Sequence, residues 1–275
     1  MKGGKFKMKK RIIALAAVAG AAGAYLSAIS PRVKDRPNLE AFNGKVYAHR
    51  GMFGGKEMEN SVEAFAKAVD NGYGIELDVQ LSADGQAVVF HDANLLRLFG
   101  ENVAVSSLTA EELSEYGIPT LAQALAVIDG KVPLIVELKG ETNDISVAPI
   151  AAEILDEYVG DYCVESFNPF ILKWFKNCRP DIVRGQLSCA FSKDGKKGPK
   201  YFLLEHLMLN FVSRPDFIAY SHKDTPKVSL TLCRKLFNIP IVAWTVKTAD
   251  EWSKCADKFD AYICECLPKK RKASK

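Results

Sequence analysis

From Val46 almost to the end of the chain, short runs with apolar residues at every second position alternate with longer runs whose apolar residues recur every three to four positions. The first kind predicts strands and the second helices. Strands are expected at Lys45 to Ala48, GIELDVQL (74–81), VPLIVELKG (132–140), CVESF (163–167), IVRGQL (182–187), FIAYS (217–221), IVAWTV (241–246) and AYICE (261–265). Helical runs such as SVEAFAKAVDNG (61–72), PFILKWFKNC (169–178), the stretch near 201–212, SLTLCRKLF (229–237) and ADEWSKC (249–255) separate them. AVVFHD (87–92) reads as an extra hairpin strand after the turn at Ala83-Asp84-Gly85. Asn60, with Glu63 three residues on, reads as the cap that opens the first of these helices. Eight main strands in strict alternation with helices predict an α/β fold, a (β/α)8 TIM barrel.

Ahead of that pattern, Ile12 to Ser30 are 19 uncharged residues behind six basic ones (Lys2, Lys5, Lys7, Lys9, Lys10 and Arg11). The run just reaches the length of a bilayer span and predicts an N-terminal transmembrane or signal-anchor helix, with cleavage after Ala24 or Ala28 as the competing fate. The division follows: a membrane anchor or signal segment over 1–30, a linker over 31–44, the barrel over 45–267 and a basic tail over 268–275. Fewer positive charges follow the segment (Arg32, Lys34 and Arg36) than precede it, so the catalytic domain is expected outside the cytoplasm. The two ends carry eleven positive charges against a net charge of +4, leaving residues 12–268 at −7. An acidic body with basic ends argues against nucleic acid and for membrane lipid as a partner, with a solvated tail that has no partner as the equal alternative for the C-terminal run. Seven cysteines without a CxxC pair read as buried free thiols, which suit a reducing compartment and pull against that placement unless the source is anaerobic.

Charge inside the strand patterns points to chemistry. Glu76 and Asp78 share one face of GIELDVQL, and Glu137 and Lys139 share one face of VPLIVELKG. A half-exposed strand explains such pairs singly; together they do not fit it, because in a barrel the ends of strands carry the active site and His49, Glu76, Asp78, Glu137 and Lys139 all fall there. Carboxylates from two strands suit a hard divalent cation, Lys139 and Arg50 suit an anionic phosphate, and His49 with His91 suits an acid and base pair. The combination describes phosphodiester cleavage. An interior salt-bridge network of Glu137 with Lys139 and Glu76 with Arg50 would leave both histidines unexplained.

HRG (49–51), EN (59–60), ELDV (76–79), DG (84–85), VVFHD (88–92) and VELK (136–139) resemble the glycerophosphodiester phosphodiesterase family, a TIM barrel related to phosphatidylinositol-specific phospholipase C. The likeness spans about residues 45 to 265, and ESFNP, RPDIVRGQL, RPDFIAY and AWTV resemble a bacterial subgroup with an N-terminal membrane segment. The resemblance implies metal-dependent hydrolysis of a glycerophosphodiester to glycerol 3-phosphate and an alcohol. It also implies Mg²⁺ or Ca²⁺ on Glu76, Asp78 and Glu137, with Glu59 and Asn60 supporting the metal site. By the same likeness His49 and His91 are catalytic, and Arg50 and Lys139 bind the phosphate. Trp244, near the barrel mouth, is a candidate substrate-binding residue as well as a candidate core residue. Two departures stand out: Lys247 follows AWTV where many relatives carry Asn, and Cys264-Glu265 stands where a Thr-Asp pair is common. Ser166 and Asn168 are rim candidates. The apolar stretch 201–212 either packs on the barrel or leans on a bilayer, where it would favour a lysophospholipid substrate. A lysophospholipase D-like enzyme and a non-catalytic membrane-tethered binding protein are the rival readings.

Overall fold

A computed structural model describes residues 2–140 and 143–268, with side chains from residue 11 onward. The basic residues before Arg11 and the tail after Pro268, to which lipid attraction is assigned above, have side chains outside that set. Eight parallel strands close into a barrel: β1 (Val46–His49), β2 (Gly74–Leu81), β4 (Leu134–Leu138), β5 (Tyr162–Ser166), β6 (Arg184–Ser188), β7 (Phe217–Ser221), β8 (Ile241–Val246) and β9 (Ala261–Cys264). β1 pairs with both β2 and β9, which closes the ring, and the short β3 (Ala87–Val89) lies antiparallel to the end of β2. The expected TIM barrel is therefore the observed fold, hairpin strand included.

The strands read as apolar runs because both faces are covered. Ile75, Leu77, Val79, Leu134, Val136 and Leu138 face the helices in one large core. Inside the ring, Tyr47, Ile135, Cys163, Val183, Phe217 and Ala261 fill the lower layers. Gly185 is required here, since a Cβ at that position would lie 2.1 Å from the Phe217 ring. Leu39 and Phe42, from the linker, plug the bottom of the ring against this layer. The linker is thus part of the packed domain, a role its polar composition did not announce.

Three details differ from the sequence reading. Ser61, not Asn60, caps the helix Val62–Asp70: its side chain accepts from the Ala64 amide, while Asn60 sits at φ 60° with its amide turned into the barrel. β3 ends at Val89, so His91 lies on the loop beyond it. The stretch 201–212 is two short helices, Pro199–Glu205 and Asn210–Ser213, broken at Leu207, whose φ is 57°. Leu204 and Leu207 are buried there, whereas Phe202 and Phe211 are exposed. The seven cysteines are free as expected, and five are buried; Cys178 is exposed and Cys266 partly so.

The N-terminal helix runs from Lys2 to Ala28, and its Arg11–Ala28 portion is long and apolar enough to cross a membrane. Its last turn belongs to the fold. Ile29 is fully buried, and its carbonyl accepts from Asn210 Nδ2 (3.1 Å) and Cys233 Sγ (3.3 Å).

Candidate active site

Parallel register brings the charged positions together. Across the β1, β2, β4 and β5 neighbours, His49 pairs with Glu76, Asp78 with Glu137, and Glu137 with Glu165. Alternation points these side chains into the top of the ring, where Glu76, Asp78, Glu137 and Glu165 are all buried. Glu76, Glu137 and Glu165 converge, each offering an oxygen within 4.8 Å of the others. Asp78 lies beside that trio and is held by cations: Lys139 Nζ is 2.8 Å from Oδ1 and Arg50 Nε is 3.1 Å from Oδ2. Asn60 Nδ2 also donates to Asp78 Oδ2 (2.8 Å).

Two fixed cations, Arg50 and Lys139, face these four carboxylates. The imbalance shows in the titration. Burial, then repulsion from Asp78 and Glu137, raises the Glu76 carboxyl well above its ordinary value, and burial with Glu137 and Asp78 does the same to Glu165. Glu137 is also raised, by burial against the partial relief of Lys139. Burial works against ionising Asp78 as well, yet Lys139 and Arg50 outweigh it and hold that carboxyl low. Lys139 Nζ lies 2.7 Å from Glu137 Oε1 as well as 2.8 Å from Asp78, so an ammonium already bridges two of the acids. Glu165 Oε2 is buried with no hydrogen-bond partner among the described residues. Two surplus negative charges and an orphaned carboxylate oxygen fit one divalent cation.

The histidines stand on either side. His49, at the end of β1, has Nδ1 3.1 Å from Glu265 Oε1 and Nε2 4.0 Å from Glu76 Oε2. Burial lowers its pKa against the raising effect of Glu265; burial and Lys139 lower that of His91, whose Nδ1 pairs with Asp92. Arg50 adopts φ 57°, which turns its amide toward Glu76 Oε2 (3.1 Å) while Nη1 donates to Glu59 Oε1 (2.7 Å). Glu59 is clasped from the other side by Arg97, which also pairs with Asp92. A cavity of about 230 Å³ joins His49, His91, Glu76, Glu137, Trp244 and Lys247.

The ten residues expected to be catalytic, metal-holding or substrate-binding lie in this neighbourhood, though not in equal roles, while the two rim candidates differ. Trp244 lines the cavity with its ring 5.6 Å from Phe167. Ser166 does not reach it: the hydroxyl donates to the Leu138 carbonyl below. Asn168 caps the helix Pro169–Cys178 and lines an adjoining groove. Lys247 ties to Glu265 at 2.8 Å. Glu165, Glu265, Asp92 and Arg97 carry much of the wiring, and sequence reasoning assigned none of them. Glu165 had a signal, a charge inside an apolar strand; Arg97 had none, because its partners are 38 and 5 residues away.

Comparison with known proteins identifies the family and the fold. Residues 49–259 match the model of the glycerophosphoryl diester phosphodiesterase family. A Bacillus subtilis protein bearing a glycerophosphodiester phosphodiesterase name is 31% identical over 233 residues, 78% of this chain and 90% of that one. A phosphodiesterase of Oleispira antarctica, solved with the product sn-glycerol-3-phosphate, superposes with a TM-score of 0.66 at 27% identity, covering 82% of this chain and 94% of that one. A glycerophosphodiester phosphodiesterase of Thermotoga maritima superposes with a TM-score of 0.64 at 25% identity, covering 80% and 93%.

Proposed function

The chain belongs to the glycerophosphoryl diester phosphodiesterase family and is a glycerophosphodiester phosphodiesterase, and from that premise we propose how its own residues carry the reaction. The substrate is a glycerophosphodiester, and the products are glycerol 3-phosphate and an alcohol. The observation that supports this reading is the cavity in which His49 and His91 flank Arg50 and the buried Glu76, Glu137 and Glu165, with Lys139 and Asp78 paired just behind them.

His49 and His91 form the acid and base pair. One takes the proton of the attacking hydroxyl, from water or from the substrate's glycerol, and the other returns a proton to the departing alcohol oxygen. Glu265 on Nδ1 of His49 leaves Nε2 free toward the cavity, and Asp92 does the same for His91. Arg50 and Lys139 supply positive charge for the phosphoryl oxygens. Trp244 forms the apolar wall against which the substrate seats.

Glu76 and Glu137 hold a divalent cation, Mg²⁺ or Ca²⁺, together with Asp78 as the resemblance implies, and Glu165 closes the same cluster. When bound, such an ion acts as a Lewis acid that neutralises charge on a phosphoryl oxygen. Glu59 and Asn60 support the cluster by fixing Arg50 and Asp78. The N-terminal helix anchors the enzyme, with the barrel outside the cytoplasm. Released glycerol 3-phosphate from glycerophosphocholine, measured with and without a chelator, tests the reading. Turnover that survives both chelation and replacement of His49 or His91 would overturn it.

A further inference from the structure

Positive charge gathers at the bottom of the acidic barrel, where the linker crosses it. The Arg32 amide donates to the Pro215 carbonyl and its Nη1 to the Pro180 carbonyl (2.8 Å), which lays Arg32 and Lys34 against the strand starts. Lys176 is in the last turn of the helix Pro169–Cys178, Arg184 opens β6, and Arg214 follows the short helix Asn210–Ser213 ahead of β7. In a barrel these positions are the ones opposite the strand ends that carry His49, Glu76 and Glu137. The five cations line one groove of about 540 Å³.

Among the described residues only one carboxylate pairs with any of them. Asp216 Oδ1 is 3.7 Å from Arg32 Nη1 and Oδ2 is 3.7 Å from Arg184 Nη1, both beyond hydrogen-bond reach. Lys176 Nζ and Arg214 Nη1 donate to backbone carbonyls instead, of Val212 (2.7 Å) and Ser30 (3.0 Å). Carbonyls satisfy donors without neutralising charge. Arg184 is 2% exposed and its Nη1 is buried with no hydrogen bond, so its charge acts on the groove through a wall that water screens little. The crowding shows: burial, then Arg184 and Arg214, lowers the Lys176 pKa, and burial outweighs Asp216 in lowering that of Arg184. A cationic groove with guanidinium forks on two sides complements a compact, doubly charged oxyanion.

Such a group comes from solution or from a lipid headgroup, and the N-terminal helix decides between them. Tyr25 approaches Ser229 in the first turn of the helix Val228–Phe237, the Ile29 carbonyl meets Cys233 one turn on, and Arg36 donates to the Phe237 and Asn238 carbonyls at its end. That helix runs from the top of β7 to the bottom of β8, so residues ahead of Tyr25 depart past the catalytic side. The groove lies at the other end, about 15 Å of helix lower, and faces away from a bilayer that holds the anchor. We propose that it binds a soluble phosphate dianion, inorganic phosphate or a phosphate monoester, which bridges Arg32 and Lys34 of the linker to Lys176 and Arg214 of the barrel. The bound anion fixes the joint between anchor and catalytic domain, and the site is separate from the reaction centre.

The test places the full chain in phosphatidylcholine nanodiscs with a chelator and titrates it with inorganic phosphate at an ionic strength held constant with potassium chloride. Calorimetry reads the affinity, and hydrogen exchange of amides 32–36 reads the joint. Binding that slows this exchange is expected. Lys34→Glu and Lys176→Met should each weaken the binding about tenfold or more, while glycerophosphocholine turnover stays at the native level. Lys34 is exposed, and Met keeps the stem of Lys176 packed, so both variants keep the fold. No binding by the native chain, or native affinity in both variants, overturns the site; the second result assigns the phosphate to the reaction centre instead. Binding that leaves the exchange of 32–36 unchanged overturns the bridge. The titration is repeated in nanodiscs that contain phosphatidate: unchanged phosphate affinity upholds a soluble occupant, and abolished phosphate binding overturns it in favour of a lipid headgroup.

Discussion

Glu265 Oε1 lies 3.1 Å from Nδ1 of His49, so a residue at the end of the last strand fixes the imidazole at the end of the first. Closure of the ring makes them neighbours across 216 residues of sequence. The same oxygen is 2.8 Å from Lys247 Nζ, and the hydrogen bond from His49, against burial and with help from Lys247, lowers the Glu265 carboxyl to about 2. Glu265→Gln is expected to lower kcat by about tenfold or more with little change in KM, as the imidazole loses its preferred tautomer. Glu265 raises the His49 pKa, so whichever limb of the pH-rate profile His49 sets should move to lower pH in the variant, the acid limb if His49 is the base and the basic limb if it is the acid; a profile of unchanged shape would deny the pairing a role.

That pairing also predicts a pH dependence of stability. The folded pKa of Glu265 lies below its ordinary 4.5, so its contribution is fully present above about 4.5 and is lost as pH falls toward about 2. Thermal melts of the native chain and Glu265→Gln should differ at neutral pH and converge on acidification.

His49→Ala and His91→Ala should each reduce turnover by about a hundredfold or more while leaving the melting temperature close to native. Both rings sit at the cavity edge and neither supports the apolar core, so circular dichroism and cation titration should be nearly unaltered. Substantial activity in either variant would remove that histidine from the acid and base pair.

Cation binding should become more stabilising as pH rises. Glu76, Glu137 and Glu165 have folded pKa values above the ordinary carboxylate range, so without a cation the fold loses stability as pH climbs through those values. A bound divalent ion offsets that loss, and the melting shift on adding Mg²⁺ or Ca²⁺ should be larger at pH 8 than at pH 5. Glu165→Gln and Asp78→Asn, compared by calorimetric titration, decide which acid completes the set with Glu76 and Glu137. The ligand is the one whose loss weakens binding more than about a hundredfold.

Ser61→Ala should cost about 1 kcal/mol through loss of the helix cap, lowering the melting temperature by about 2 to 4 °C. Asn60→Ala should instead act on the site, because its amide holds Asp78 and its φ of 60° tolerates Asn better than Ala. Activity falling more in Asn60→Ala than in Ser61→Ala, with melting shifts in any order, is the expected pattern.

Pattern along the chain determined the eight strands, their alternation with helices and the face on which Glu76, Asp78, Glu137 and Lys139 stand, because period-two geometry and local capping are properties of neighbouring residues. It also determined the N-terminal apolar helix and the two histidines of the site. Asn60 shows the limit of local reading: its sequence suits a helix cap, but the left-handed backbone there spends the amide on Asp78 and passes the cap to Ser61. Partners far apart in sequence were settled only by tertiary structure. Closure of the ring joins Glu265 to His49, parallel register adds Glu165 to the acids, and Arg97 reaches back to Glu59. The side on which the N-terminal helix departs is of the same kind: hydropathy marks the helix, and only the packing of Tyr25 and Ile29 on the helix after β7 gives its direction.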